Sequence, residues 1–320
     1  MTDVHVESEF APLRTVVLAR CELAVPAPPP GSPELRFLRE GAAERNSLGR
    51  DLREADPARH AAWEREREAF GAVLAAHGVE VLRPRLLTEE EKRTGTDGYA
   101  NFFSRDPFFT VGGHVIEGSL RLRHRRREIL PIRDILDERV LPADCSYVAV
   151  PRPGIATAGG DEPGPFLEGG DVLVLGKRVF VGASGLASNE RGARWLRKLL
   201  EPRGYTVELV PLHDHILHLD CALGLIREGL LVHCPEAMPG GLPESLRGWD
   251  AVTVTFDQAT SLATNGLPIT PGVYVTDPEF AFLGDRLAEH GVRVEYVDFA
   301  ITRSFGGSFR CSTQALLRRE

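Results

Sequence analysis

The sequence predicts an α/β protein built from about five units of strand, strand, helix and strand that close into a ring. Three observations predict it. A phrase recurs in which a glycine leads into alternating apolar residues: HGVEVL from His77, RGYTVELV from Arg203, GWDAVTV from Gly248 and HGVRVEYV from His290. Glycine is favoured just past a helix because it takes the left-handed conformation without steric cost, and the alternation after it reads as a strand. These glycines, Gly78, Gly204, Gly248 and Gly291, are spaced by 126, 44 and 43 residues, and the long gap equals three units of 42. Ahead of several helices lie hairpins with glycine-containing turns. Such a unit buries its apolar face only against its neighbours, so a closed array leaves no edge exposed; a conventional open sheet is the alternative.

In chain order, LRTVVLAR from Leu13 is the strand of an incomplete first unit, whose helix ends at His77. Asp56-Pro57 starts that helix, with a capping carboxylate before a proline whose missing N–H costs nothing at the first helical position. PFFTVGGHVIEG, from Pro107, is the next hairpin, and SYVAV, Ser146 to Val150, marks the end of its unit. DVLVLGKRVFVG, from Asp171, precedes a helix through Trp195 and Leu196 to Leu200, for which Ser188 is the expected cap. CALGLIREGLLVH and NGLPITPGVYVTD supply two further hairpins, and Asp277-Pro278 repeats the carboxylate-proline start. Cys311, after Gly306-Gly307, opens a fifth short strand. Pro/Gly-rich Ala24 to Ser32 and Pro151 to Pro165 read as loops over the ring, so residues 1–320 are expected to form one domain.

A chain of 320 residues that is 42% hydrophobic and 26% charged is neither disordered nor fibrous. With a net charge of -8 and Arg121 to Arg127 as its one short basic run, it is not expected to bind nucleic acid. MTDVHVESEF has no cationic stretch leading into an apolar one, and no run approaches ~18 apolar residues, which predicts a cytoplasmic protein without a membrane partner. The five cysteines are scattered without a CxxC pair, against both a disulfide framework and a zinc knuckle.

The repeat puts polar residues in equivalent places. Before the hairpins stand Arg105-Asp106, Glu168-Gly169-Gly170-Asp171, His218-Leu219-Asp220 and Asn265, and Cys311 precedes the fifth strand. Around an axis they converge on one face, and a carboxylate, an imidazole and a thiol drawn together are the ingredients of a nucleophilic site. Taken singly, Asp106 reads as a turn former, Glu168 to Asp171 as a turn with a solvated acid, and Cys311 as a buried thiol; the joint occurrence carries the argument. His213 to Asp220 holds three histidines and two aspartates but no third partner for His218 and Asp220 on one strand face, so neither a metal nor any cofactor is expected.

SRDPFF, FLEGGDV, LHLDCAL and GGSFRCST, in that order, resemble the motifs of the guanidino-group-modifying enzymes: arginine deiminases, dimethylarginine dimethylaminohydrolases and arginine amidinotransferases. LRTVVLAR, VGGHVIEGSLR and SNERGARWLRKLL extend the resemblance. It implies a five-bladed pseudo-symmetric α/β propeller. It also implies Cys311 as nucleophile, His218 as general acid and base, Glu168 as the carboxylate holding that histidine, Asp106 with Asp220 as a clamp for a small-molecule guanidino substrate, and a structural role for Asp171.

Chemistry agrees with those roles. A guanidinium is planar, protonated and offers five donors, so carboxylates in its plane each take charge-assisted hydrogen bonds worth ~1.5 to 3 kcal/mol. A thiolate is the side chain best able to attack its delocalised carbon. An arginine anchor expected after the His-x-Asp motif is replaced by Ala237, and SGLASNERG departs from the deiminase-like phrase, which leaves Arg121, Arg123, Arg191 or Arg310 to hold any α-carboxylate. The expected activity is hydrolysis of a guanidino group through an amidino-cysteine intermediate. Transfer of the amidino group to an amine is the alternative, and a non-catalytic binding protein of the same fold the remote one.

Overall fold

The computed structural model describes residues 3–28, 31–32, 34–46, 48–93, 97–153 and 163–319. Five three-stranded sheets share one pattern: an inner strand antiparallel to a central strand, and the central strand parallel to an outer one. Blade II has Phe108–Val111, His114–Glu117 and Ser146–Ala149. Blade III has Val172–Leu175, Arg178–Ala183 and Thr206–Pro211. Blade IV has Leu223–Arg227, Leu230–His233 and Asp250–Thr253, and blade V has Leu267–Thr270, Val273–Thr276 and Arg293–Tyr296. Blade I takes its central and outer strands, Leu13–Leu18 and Glu80–Leu82, from the start of the chain and its inner strand, Thr313–Arg318, from the end. The incomplete first unit is therefore completed by the short strand after Cys311, and the five-bladed α/β propeller closes there.

Burial follows the radial position. Thr313–Arg318 and Phe108–Val111 are buried along their whole length, whereas Ser146–Ala149, Asp250–Thr253 and Arg293–Tyr296 are mostly half-buried or exposed. An inner strand is covered by its neighbours in the ring, so even the polar Thr313, Gln314 and Arg318 of TQALLR are buried.

Local expectations hold where the cap chemistry is unambiguous. Asp56 accepts from the Arg59 backbone N–H ahead of Pro57–Ala76, and Asp277 accepts from that of Glu279 at the turn leading into Ala281–Glu289. Gly78, Gly204 and Gly291 have φ of 75°, 82° and 75°. Two expectations need correction. Asn189, not Ser188, caps Glu190–Leu200, because the Ser188 hydroxyl is taken by the Glu168 N–H. Gly248 follows only a 3-10 turn, Glu244–Leu246, so no left-handed helix stop is required there. Of the predicted loops, residues 154–162 and Pro29-Pro30 lie outside the described residues. Among the described residues no helix is long and apolar enough to cross a membrane.

Candidate active site

The turns that lead into the inner strands carry the polar residues. Asp106 precedes Phe108–Val111, Glu168 opens the Gly169–Asp171 turn, His218 and Asp220 flank and enter the Leu219–Cys221 turn, Asn265 precedes Leu267–Thr270, and Cys311 precedes Thr313–Arg318. Each blade thus contributes at the same end. His218 and Asp220 lie on a 3-10 turn rather than the strand face that their alternation predicts.

Glu168, His218 and Asp106 form one set of contacts. His218 Nε2 is 2.9 Å from Glu168 Oε2, and Nδ1 is 3.8 Å from Asp106 Oδ1. Both ring nitrogens face carboxylates. Burial alone would lower the His218 pKa, but Asp106, Glu168 and Asp171 raise it well above the ordinary value, favouring the imidazolium. The paired glycines make room for this packing. A Cβ on Gly170 would lie 2.6 Å from His218 Nδ1, and one on Gly169 would lie 2.0 Å from the Arg105 carbonyl oxygen, so a side chain at either position would displace the histidine or the backbone behind Asp106.

Cys311 and Asp220 form the second set. Cys311 Sγ is 3.8 Å from Asp220 Oδ2, and the Cys311 N–H donates to Asn265 Oδ1 at 3.2 Å. The same Asn265 oxygen accepts from the Ser308 N–H, which ties down the loop ahead of the thiol. Asp171 stands behind both sets: Oδ1 accepts from the Leu219 N–H at 3.0 Å and Oδ2 from the Ser188 N–H at 3.1 Å, fixing the turn that carries His218 and Asp220. Burial raises its pKa to about 7.

Several participants are missing from the sequence-based list. Arg125 donates to Asp106 Oδ2 at 2.8 Å, makes two 2.8 Å bonds to Glu128 and stands 3.8 Å from Glu168 Oε2. Arg310, considered above as an anchor for a substrate's head, is instead 3% exposed and occupied by Asp220 Oδ2 at 2.9 Å and both oxygens of Glu9. Cys221 lies against the site with Sγ 3.5 Å from Asp220 Oδ1, and its pKa is raised well above the ordinary value, chiefly by a hydrogen bond with Cys311 and then by burial. Ala237 is fully buried in the core of blade IV and its neighbours, so its position offers no anchoring side chain to the site.

Asp106, Glu168 and His218 bring one ligand atom each within 4.8 Å of one another, as do His213, Asp214 and His215 near the surface. In the first group the Arg125 guanidinium already lies against Asp106 and Glu168, and a cation there would have to displace it. In the second, His213 Nδ1 accepts from the His215 N–H at 3.2 Å and His215 Nδ1 lies 3.0 Å from Asp214 Oδ1, so these groups already serve one another. Neither donor set fits a resident ion. The first is suited to proton transfer at an imidazole between two acids, with a thiol beside a third.

The chain matches the protein-family model described as N,N dimethylarginine dimethylhydrolase, eukaryotic, over residues 32–318. It is 27% identical to inosamine-phosphate amidinotransferase 1 of Streptomyces griseus, with 98% of this chain and 96% of that protein covered. Its fold is that of an amidinotransferase of saxitoxin biosynthesis from Microseira wollei, with a TM-score of 0.83 at 20% identity and coverage of 99% and 98%. It is also that of the dimethylarginine dimethylaminohydrolase of Pseudomonas aeruginosa, with a TM-score of 0.67 at 17% identity and coverage of 95% and 99%. With the ring of five blades and the ordered motifs, these findings make the chain a member of the dimethylarginine dimethylhydrolase family, within the pentein superfamily of guanidino-group-modifying enzymes.

Proposed function

We propose that this protein cleaves a guanidino C–N bond through an amidino thioether on Cys311 and passes the amidino group to an amine acceptor. The observation that carries the reading is the convergence of Cys311 with Asp220 and of His218 with Glu168 on one face of the propeller. Asp220 and Asp106 draw the guanidinium into the site, Cys311 attacks its central carbon, and the His218 imidazolium protonates the departing nitrogen. The neutral imidazole then takes a proton from the incoming amine as its nitrogen attacks the amidino carbon and Cys311 leaves.

Transfer is favoured over hydrolysis by the likeness to an amidinotransferase over 98% of the chain. Hydrolysis is the second reading, supported by the family model's match to a dimethylhydrolase; water then takes the place of the amine. The same intermediate serves both. Among the arginines weighed as anchors, Arg310 is taken up by Asp220 and Glu9, whereas Arg121 borders the site: its backbone N–H donates to Glu168 Oε1 at 2.8 Å and its guanidinium lies over the Phe166 ring. The test is a panel of guanidino compounds incubated with and without candidate amines and read by mass spectrometry. Amine-dependent guanidinylated product supports transfer, urea or citrulline-type product without amine supports hydrolysis, and no turnover of any compound overturns both.

A further inference from the structure

We infer that Arg125, held by Glu128, is a positioning residue that fixes the Asp106 and Glu168 carboxylates around His218. The inference rests on the proposed role of His218 in proton transfer. Arg125 is 5% exposed, yet its guanidinium meets only acids: Glu128 through Nε and Nη2, Asp106 through Nη2, and Glu168 across 3.8 Å from Nη1. The Glu168 oxygen it faces is the one that binds His218 Nε2. The ring of Phe103 lies 6.0 Å from the guanidinium. A fork of this shape holds several carboxylates in one plane, which an ammonium cannot do.

The titratable groups facing this cluster are Glu128 and His124 on its own segment, Asp106 from blade II, Glu168 and Asp171 from blade III and His218 from blade IV. Burial pushes Glu128 up to about 8, whereas Arg125 and His218 hold Asp106 below the ordinary carboxylate range despite its burial. The arginine thus adds to His218 in holding Asp106 low, while burial outweighs it at Glu128. Removing a positive charge raises the pKa of every neighbour, acid or imidazole alike, so the folded cluster without Arg125 binds more protons at a given pH.

The test compares wild type with Arg125→Met, Arg125→Lys and Glu128→Gln by denaturant unfolding at pH 5 and pH 8, and by the pH profile of kcat/KM on any guanidino compound that turns over. Arg125→Met is expected to lose more stability at pH 8 than at pH 5 and to move the acid limb of the profile up by at least one pH unit. Arg125→Lys shows the same direction at smaller size, and Glu128→Gln gives no upward shift. A stability loss equal at both pH values, with an unmoved limb, means that Arg125 only fills space and overturns the inference. If no compound turns over, the proposed function fails while the unfolding comparison still decides the role of Arg125. If Arg125→Met folds at neither pH, Arg125→Lys decides: an unmoved pH dependence there overturns the inference.

Discussion

In the histidine half of the site, Asp106, Glu168 and Glu128 share Arg125, supplied by a turn beside blade II; in the cysteine half, Asp220 and Glu9 share Arg310, the residue next to Cys311 in the chain. Each half thus neutralises a pair or trio of buried acids with one arginine, since buried charges persist only when paired. The difference lies in redundancy. Around His218 three carboxylates compete for the same cations, so loss of one leaves others to take over. Beside Cys311 a single carboxylate faces an arginine and two thiols at once. The cysteine half is therefore the less tolerant of change.

The largest expected effect tests the nucleophile. Cys311→Ser should lower turnover by on the order of a thousandfold or more while preserving the fold, and wild-type enzyme quenched in steady state should carry an amidino adduct on the Cys311 peptide. Adduct on Cys221 instead would reverse the assignment of the two neighbouring thiols. Next comes the asymmetry itself. Asp220→Asn removes a charge and presents a donor to both Arg310 and a donor-rich substrate, so kcat/KM should fall by about 3 kcal/mol or more. Asp106→Asn should cost less, because Glu168 still faces His218 and Arg125. Equal losses measured by steady-state kinetics would break the comparison.

A smaller effect concerns the support shared by both halves. The Asp171 pKa is raised to about 7 in the folded protein against an ordinary value of 3.8. A protonated folded state and an ionised unfolded state mean that its contribution to stability is fully present below pH ~3.8 and declines by about 1.4 kcal/mol per pH unit as pH rises toward 7. Asp171→Asn keeps one acceptor oxygen and abolishes that titration. The variant should gain on wild type as pH rises from 4 to 7, read from denaturant midpoints; a constant difference would show that Asp171 stays ionised. Smallest of all, exhaustive chelation should leave activity unchanged, because Arg125 holds the space a cation would take between Asp106 and Glu168. Loss on chelation and recovery with a stoichiometric divalent ion would revise that account.

The fold was legible because its repeat is written in residues with few alternative uses. A glycine after a helix, seen three times, an Asp-Pro start, seen twice, and a glycine-containing hairpin, seen four times, each impose backbone geometry locally, and together they reveal the ring. Ser188 was misread because a distant partner, the Glu168 N–H, claims its hydroxyl, and Gly248 because blade IV has a short 3-10 turn where a helix was expected. In the site, Asp106, Glu168, His218, Asp220 and Cys311 were found from strand-start positions and motif resemblance. Arg125, Glu128 and Glu9 were not, because pairs that neutralise one another in the interior leave no periodic trace. Glu9 and Arg310 are 301 residues apart in the chain and meet only when the ring closes.

That closure gives the order of synthesis a chemical meaning. The strand that secures Cys311 is the last blade strand to leave the ribosome, and its partner, Leu13–Leu18, is the first. Blades II to V, which carry His218 and Glu168, lie between those two strands, so the histidine half precedes Cys311 in the chain. The pairing that seals the ring also sets the place of the Cys311 sulfur, so the proposed nucleophile reaches its position only when the first and last blade strands meet. A break in Thr313–Arg318 would open blade I and release the segment that carries Cys311 at once.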